Sequence, residues 1–128
     1  MRINITSVFV DNQDKALNFY TEVLGFVKKT DMPAGDFKWV TVVSPEEPEG
    51  VELLLEPNEN PAAEKYQKEI YEQGTPAISF VVDDIKEEYT RLKERGVSFT
   101  VEPTDVGPVT YAIFDDTCGN LIQVSQAK

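Results

Sequence analysis

The chain has 128 residues, of which 41% are hydrophobic, including 7 Phe, 5 Tyr and one Trp, enough for the core of a single domain and too apolar for a disordered chain. Its 23 acidic and 12 basic residues give a net charge of −11, which repels phosphate backbones and anionic lipid heads, sets aside nucleic-acid and membrane roles, and favours cationic ligands. It has no histidine, its single cysteine, Cys118, excludes an internal disulfide and fits a reducing compartment, and there is neither a signal-peptide core nor a membrane-length apolar run, so the expected location is cytoplasmic.

Ile3 to Val10 is apolar and β-branched, and reads as a strand. Asp11-Asn12 caps a helix whose stripe is Ala16, Phe19, Tyr20 and Val23, and Gly25 ends it. Strands are expected at Phe26 to Thr30, Phe37 to Val43 and Val51 to Glu56, separated by the turn Pro33 to Asp36 and the loop Ser44 to Gly50. Residues 57–75 form a connector with a short helix over Ala62 to Gln73. The plan then recurs: a strand Ala77 to Val82, the cap Asp83-Asp84, and a helix with Ile85, Tyr89 and Leu92 stopped by Gly96. Strands at Val97 to Val101, Val109 to Phe114 and Leu121 to Ser125 follow, the last two joined by the turn Asp115 to Asn120.

The two halves align. Val81-Val82-Asp83-Asp84 lies 72 positions after Phe9-Val10-Asp11-Asn12, Gly96 lies 71 after Gly25, and Leu121-Ile122-Gln123-Val124 lies 71 after Gly50-Val51-Glu52-Leu53. Two units are too few for a solenoid and imply a duplicated βαβββ module. The expected fold is α+β: module one at 1–56, a connector at 57–75 and module two at 76–128, with a curved, mostly antiparallel sheet around a cavity. Strand alternation assigns side chains to the two faces. With Val8 and Val10 under the helix, Ile5, Ser7 and Phe9 face the cavity; so do Glu52 and Leu54, and in the second module Ala77, Ser79, Val81, Leu121, Gln123 and Ser125.

Val8-Phe9-Val10-Asp11, Ala16-Leu17-Asn18-Phe19-Tyr20 and Val23-Leu24-Gly25-Phe26 together resemble the opening signature of the vicinal-oxygen-chelate superfamily, the glyoxalase, bleomycin-resistance and extradiol-dioxygenase group. Phe114 to Gln123 resembles its closing signature, an aromatic residue, an Asp-rich Gly-Asn turn and a strand ending in Glu. The resemblance covers the whole chain and implies a homodimer. It also implies a divalent metal held by two His and one or two Glu, one from each of four strands. The matching positions here are Ile5, Glu52, Ala77 and Gln123, and only Glu52 is an anionic ligand. A catalytic metal needs about three protein ligands, so the expected metal set is none and the expected cofactor is none, save a hard cation held by Glu52, Gln123 and waters.

Other residues could carry a function. Glu52, on the cavity side, is the candidate general base or cation partner; the alternative is a structural hydrogen bond to Gln123 or to backbone groups, a relic of the metal site. Phe9, Phe37, Trp39 and Tyr111, with Phe114, are candidates for an apolar ligand pocket completed by Glu52 and Gln123; for any one of them plain core packing is the simpler reading, and Trp39, a lone Trp near the turn of a cavity strand, is the best exception. Tyr66 and Tyr71 in the connector helix could cover the cavity or a dimer interface. Cys118, without a basic partner, reads as structural. The functions that follow are a metal-free binding protein of bleomycin-resistance type taking a small molecule, possible cationic ligands included; a glyoxalase-type lyase or isomerase using Glu52 as base; or a non-catalytic domain that keeps only the fold.

Overall fold

A computed structural model describes all residues, 1–128. The chain divides into two compact units, residues 1–65 and 66–128, each described by itself below. No helix is long and apolar enough to cross a membrane.

In the first unit, β1 (Ile5–Val10) leads into α1 (Gln13–Asn18), which continues as a π-helical turn over Phe19–Val23. Strands β2 (Val27–Ala34), β3 (Phe37–Val43) and β4 (Glu52–Pro57) complete a four-stranded sheet in the order β1-β4-β3-β2. The β1–β4 pair is parallel and the others are antiparallel. The Asn12 side chain caps α1 by accepting from the Lys15 N–H at 2.9 Å. The π turn closes when Leu24 N–H reaches the Phe19 carbonyl, five residues back, at 3.0 Å. It seats Tyr20, fully buried, in edge contact with the Phe19 ring and stacked on Phe26. Gly25, at φ +93°, turns the chain out. The β2–β3 turn is tighter than expected: β2 runs through Pro33 to Ala34, which an edge strand tolerates because its missing N–H would have pointed away from the sheet.

Helix α2 (Pro61–Glu72) spans the boundary between the units. The second unit then contains β5 (Ile78–Val81), α3 (Ile85–Glu94), β6 (Phe99–Asp105), β7 (Val109–Asp115) and β8 (Leu121–Ala127), in the sheet order β5-β8-β7-β6. It repeats the devices of the first. Asp84 caps α3 by accepting from Glu87 N–H at 3.1 Å, and Gly96 ends it at φ +85°, with Val97 N–H returning to the Leu92 carbonyl at 3.0 Å. The eight strands are therefore two mixed, mostly antiparallel sheets of four, each closed within its own module.

Strand register changes the alignment of the repeat. Ser7 pairs with Leu54 and its repeat mate Ser79 pairs with Gln123. Gln123 therefore corresponds to Leu54, 69 positions earlier, and Glu52 corresponds to Leu121. The reason is the connection between the last two strands of each module: residues 44–51 in the first, only 116–120 in the second. The two-residue difference from the sequence alignment leaves Glu52 and Gln123 on equivalent faces, but in different rows.

That short β7–β8 turn is built around a buried carboxylate. Asp116 is fully buried. Its Oδ1 accepts from the N–H groups of Cys118 (2.7 Å) and Asn120 (3.0 Å), and its Oδ2 from the Asn120 side-chain amide (2.8 Å). Thr117 and Gly119 take left-handed backbone conformations to close it. From α2, Gln67 Nε2 donates to the Cys118 carbonyl (3.1 Å) and to Asn120 Oδ1 (3.2 Å), and the Tyr71 hydroxyl donates to Asp115 Oδ2 (2.5 Å). Gly119 is favoured by its φ of +100°, and a Cβ there would stand 2.7 Å from Gln67 Nε2, so the Gln67 amide would have to shift from its bonds in the turn. Cys118 is fully buried in the same turn. Tyr71 therefore braces a turn, and Tyr66 stays 59% exposed.

Asp116→Ala leaves two buried backbone donors and one side-chain amide without their acceptor. It should lower unfolding free energy by about 3 kcal/mol, read as a reduced urea midpoint at unchanged m-value. The Tyr71 phenol is held above its ordinary pKa, first by its hydrogen bond to Asp115 and then by the charge of that carboxylate. A raised folded-state value means that this contribution is fully present below the unfolded-state pKa and is lost as pH rises through the folded one. Ultraviolet titration of tyrosinate, with Tyr71→Phe identifying its transition, should show the Tyr71 phenol move back down in Asp115→Asn.

Candidate functional site

In the first unit, α1 packs on β3 and β4. Val8, Val10, Val40, Val42, Leu53 and Leu55 form the buried side beneath it. Strand alternation and the observed register turn the intervening residues to the helix-free face: Ile5, Ser7 and Phe9 of β1, Glu52, Leu54 and Glu56 of β4, and Phe37, Trp39 and Thr41 of β3. Phe9, Phe37, Trp39 and Glu52, all expected to line a ligand site, thus share one face of one sheet. Trp39 is 40% exposed and its cross-strand partner Met32 50% exposed, an unusual exposure for apolar side chains so large. No Lys or Arg occupies a register position of this face. Lys28 and Lys38 alternate to the opposite side, and Lys29, in the β2 bulge, turns to the Pro48 carbonyl and Glu49.

Glu52 is half-buried, and its Oε1 accepts from the hydroxyl of fully buried Thr41 at 2.7 Å. In the second unit Gln123 donates to Ser79 Oγ at 3.2 Å, across the β5–β8 pair. Thr41 was not foreseen from the sequence. A hydroxyl in the otherwise valine-rich run of β3 was its only signal.

The first sheet is also splayed. The β3–β4 ladder is limited to Thr41–Leu54 and Val42–Leu53. Beyond it, the Gln13 side chain lies between the strands, its Nε2 donating to the carbonyls of Lys38 and Leu55 (both 2.8 Å) and its Oε1 accepting from Lys38 N–H (3.0 Å). A side-chain amide thus takes the place of direct backbone pairing next to Trp39 and Glu56.

In the second unit, Tyr111 and Gln123 occupy the face opposite α3, Tyr111 beside Ser125 and Gln123 between Ser79 and Ile113. Trp39 and Tyr111 lie 72 positions apart, so the aromatic position recurs in both modules. Phe114 does not join them. It is fully buried on the opposite side, tilted against Phe99, which in turn meets Tyr89 of α3 edge-on; it is a core residue.

The residues at the four expected metal positions do not fit a divalent ion. Ile5 and Ala77 have no donor side chain, Glu52 is engaged by Thr41, and the Gln123 amide is turned to Ser79. With Leu54 as the true counterpart of Gln123, the set loses a carboxylate. No three His, Cys, Asp or Glu side chains converge elsewhere in the chain.

An open pocket of about 470 Å³ lies on the other side of the first sheet, where the β2–β3 turn meets the start of α1. Its lining includes Asp11, Asp14, Asp31, Asp36, Phe37 and Lys38, but not Glu52 or Trp39. Lys38 Nζ donates to Asp14 at 2.9 Å, and this bond, then the charges of Asp14 and Asp31, raise its pKa. Asp11 and Asp31 are paired with Lys15 and Lys28, so this rim is a network of exposed ion pairs.

A family model described as the Glyoxalase/Bleomycin resistance protein/Dioxygenase superfamily matches residues 2–124, and the chain belongs to that family. It is 63% identical to the uncharacterised protein YurT of Bacillus subtilis over 126 residues, covering 98% of this chain and 99% of that one. Among solved structures, UcmS2 superposes with a TM-score of 0.84 at 32% identity, over 98% of this chain and 97% of that one. TnmS3, an antibiotic binding protein from Streptomyces sp. CB03234, superposes with a TM-score of 0.80 at 26% identity, over 100% and 97%.

If the Gln13 amide holds β3 and β4 at their splayed ends, Gln13→Leu should cost roughly 1 kcal/mol, chiefly by leaving the part-buried Leu55 carbonyl without its partner while the exposed Lys38 groups turn to water. Urea unfolding measures the loss. Faster hydrogen exchange at the Lys38 amide, with exchange in β8 unchanged, would localise it.

Proposed function

We propose that this member of the glyoxalase and bleomycin-resistance superfamily is a binding protein for a small aromatic molecule that carries a positive charge, working without a His-ligated metal. The observation that carries the reading is the composition of the helix-free face of the first sheet: the rings of Phe9, Phe37 and Trp39 and the carboxylates of Glu52 and Glu56, with no basic residue among them. Rings offer stacking and cation–π attraction, and carboxylates in a partly desolvated setting select positive charge. The net charge of −11 adds long-range attraction for such a ligand. The likeness to TnmS3, itself an antibiotic binding protein, supports a binding role. The poor donor set supports metal independence.

A second reading, a glyoxalase-type lyase or isomerase, has one observation in its favour: Thr41 engages only Oε1 of Glu52, leaving Oε2 available as a base.

Titration with 1-methylquinolinium and with neutral quinoline, followed by Trp39 fluorescence and calorimetry, tests the first reading. The cation should bind about tenfold more tightly, a margin that shrinks with added salt. Equal affinity for the two overturns the reading. Nickel, zinc and manganese should leave the melting temperature where a chelator leaves it; a metal-dependent rise abolished in Glu52→Ala would refute metal independence. Turnover of the glutathione–methylglyoxal hemithioacetal that disappears in Glu52→Gln would establish the enzyme instead.

A further inference from the structure

Resting on the reading above, we infer that Glu56, rather than Glu52, is the counter-ion that selects a cationic ligand, and that the ligand's ring lies in the slot between Trp39 and Glu56 opened by Gln13. Three independent features place it there.

The first is the state of the two carboxylates. Glu52 is already committed: a fully buried hydroxyl, that of Thr41, donates to it at 2.7 Å. Glu56 is half-buried at the far end of β4, and its carboxylate makes neither a hydrogen bond nor an ion pair within the chain. A partly desolvated carboxylate without a partner is a site that gains from a cation, whereas a paired one must first give up its donor.

The second is register. Glu56 is the direct β1 neighbour of Phe9. The pairing of Thr41 with Leu54 sets Trp39 across from Glu56 on the same face, one side-chain row further along. Glu56 therefore stands in an aromatic row, between Phe9 and Trp39. Glu52 stands two rows away, beside Ile5.

The third is space. Strands paired directly lie about 4.8 Å apart, too close for a ring to enter between facing side chains. At Lys38 and Leu55 the strands are held apart by the width of an amide, because Gln13 accepts from one and donates to both. Trp39 and Glu56, the neighbouring residues on the two strands, lie beyond the last ladder pair. Because Gln13 belongs to the first turn of α1, the spacing is set before any ligand arrives, which lowers the cost of ordering the site.

The test uses the full chain and the same pair of probes. In Glu56→Gln, affinity for 1-methylquinolinium should fall about tenfold to the level of quinoline, while quinoline binding stays within about twofold of wild type. Glu52→Gln should keep the preference for the cation. Trp39→Leu should weaken both probes. Glu56 is half-exposed and makes no internal bond, so Glu56→Gln should melt with the wild type, and unchanged melting makes the affinity comparison valid. A preference that survives in Glu56→Gln, or that is lost only in Glu52→Gln, overturns the inference and leaves the function intact. No preference in the wild type overturns both.

Discussion

The buried Asp116 carboxylate sets the geometry of the second module. By accepting from two backbone N–H groups and one side-chain amide, it condenses the connection between β7 and β8 to residues 116–120. The length of that connection fixes which residue of β8 lies beside which residue of β5, and so puts Gln123 next to Ser79. Gln67, reaching in from α2, completes the turn, and a side chain on Gly119 would displace its amide as well as strain the backbone.

The first module uses a looser solution and gains a different surface. Its equivalent connection, residues 44–51, leaves β4 free to slide relative to its repeat position, and Glu52 faces a row occupied in the second module by leucine. The Thr41 hydroxyl satisfies that carboxylate, while Gln13 keeps β3 and β4 from closing further along. One polar side chain therefore stabilises the sheet by pairing and another by preventing pairing. Between them, Phe37 and Trp39 of β3 stay partly exposed, on a face where Thr41 and Leu54 are buried.

Much of this was legible in the sequence. The caps Asn12 and Asp84 and the terminating glycines Gly25 and Gly96 mark both helices by local chemistry, which needs no tertiary information. Alternation along β1 and β3 places Phe9, Phe37 and Trp39 on one face for the same reason. What escaped was whatever depended on the lengths of connections. A repeat aligned by residue type paired Glu52 with Gln123, because two-residue slips preserve the pattern of faces and leave no trace in alternation. Only hydrogen-bonded register reveals the slip. Gln13 and Thr41 escaped because an amide that bridges two strands and a hydroxyl that meets a carboxylate are long-range contacts between ordinary residues. Phe114 is core, as the simpler reading of a single aromatic has it, and alternation along β7 puts it on the face opposite Tyr111.

Helix α2 has a consequence for dissecting this molecule. The boundary between the units falls inside it, at residues 65 and 66, while Gln67 and Tyr71 are bolted to the β7–β8 turn. A chain cut at its arithmetical midpoint would sever a continuous helix and expose half of it on each fragment. The duplicated halves are thus not interchangeable cassettes. New termini or an inserted domain belong in the largely exposed Ser44–Gly50 loop, where opening the chain puts at risk only two turn hydrogen bonds and the contacts of Lys29 with Pro48 and Glu49, and no ladder pair of either module.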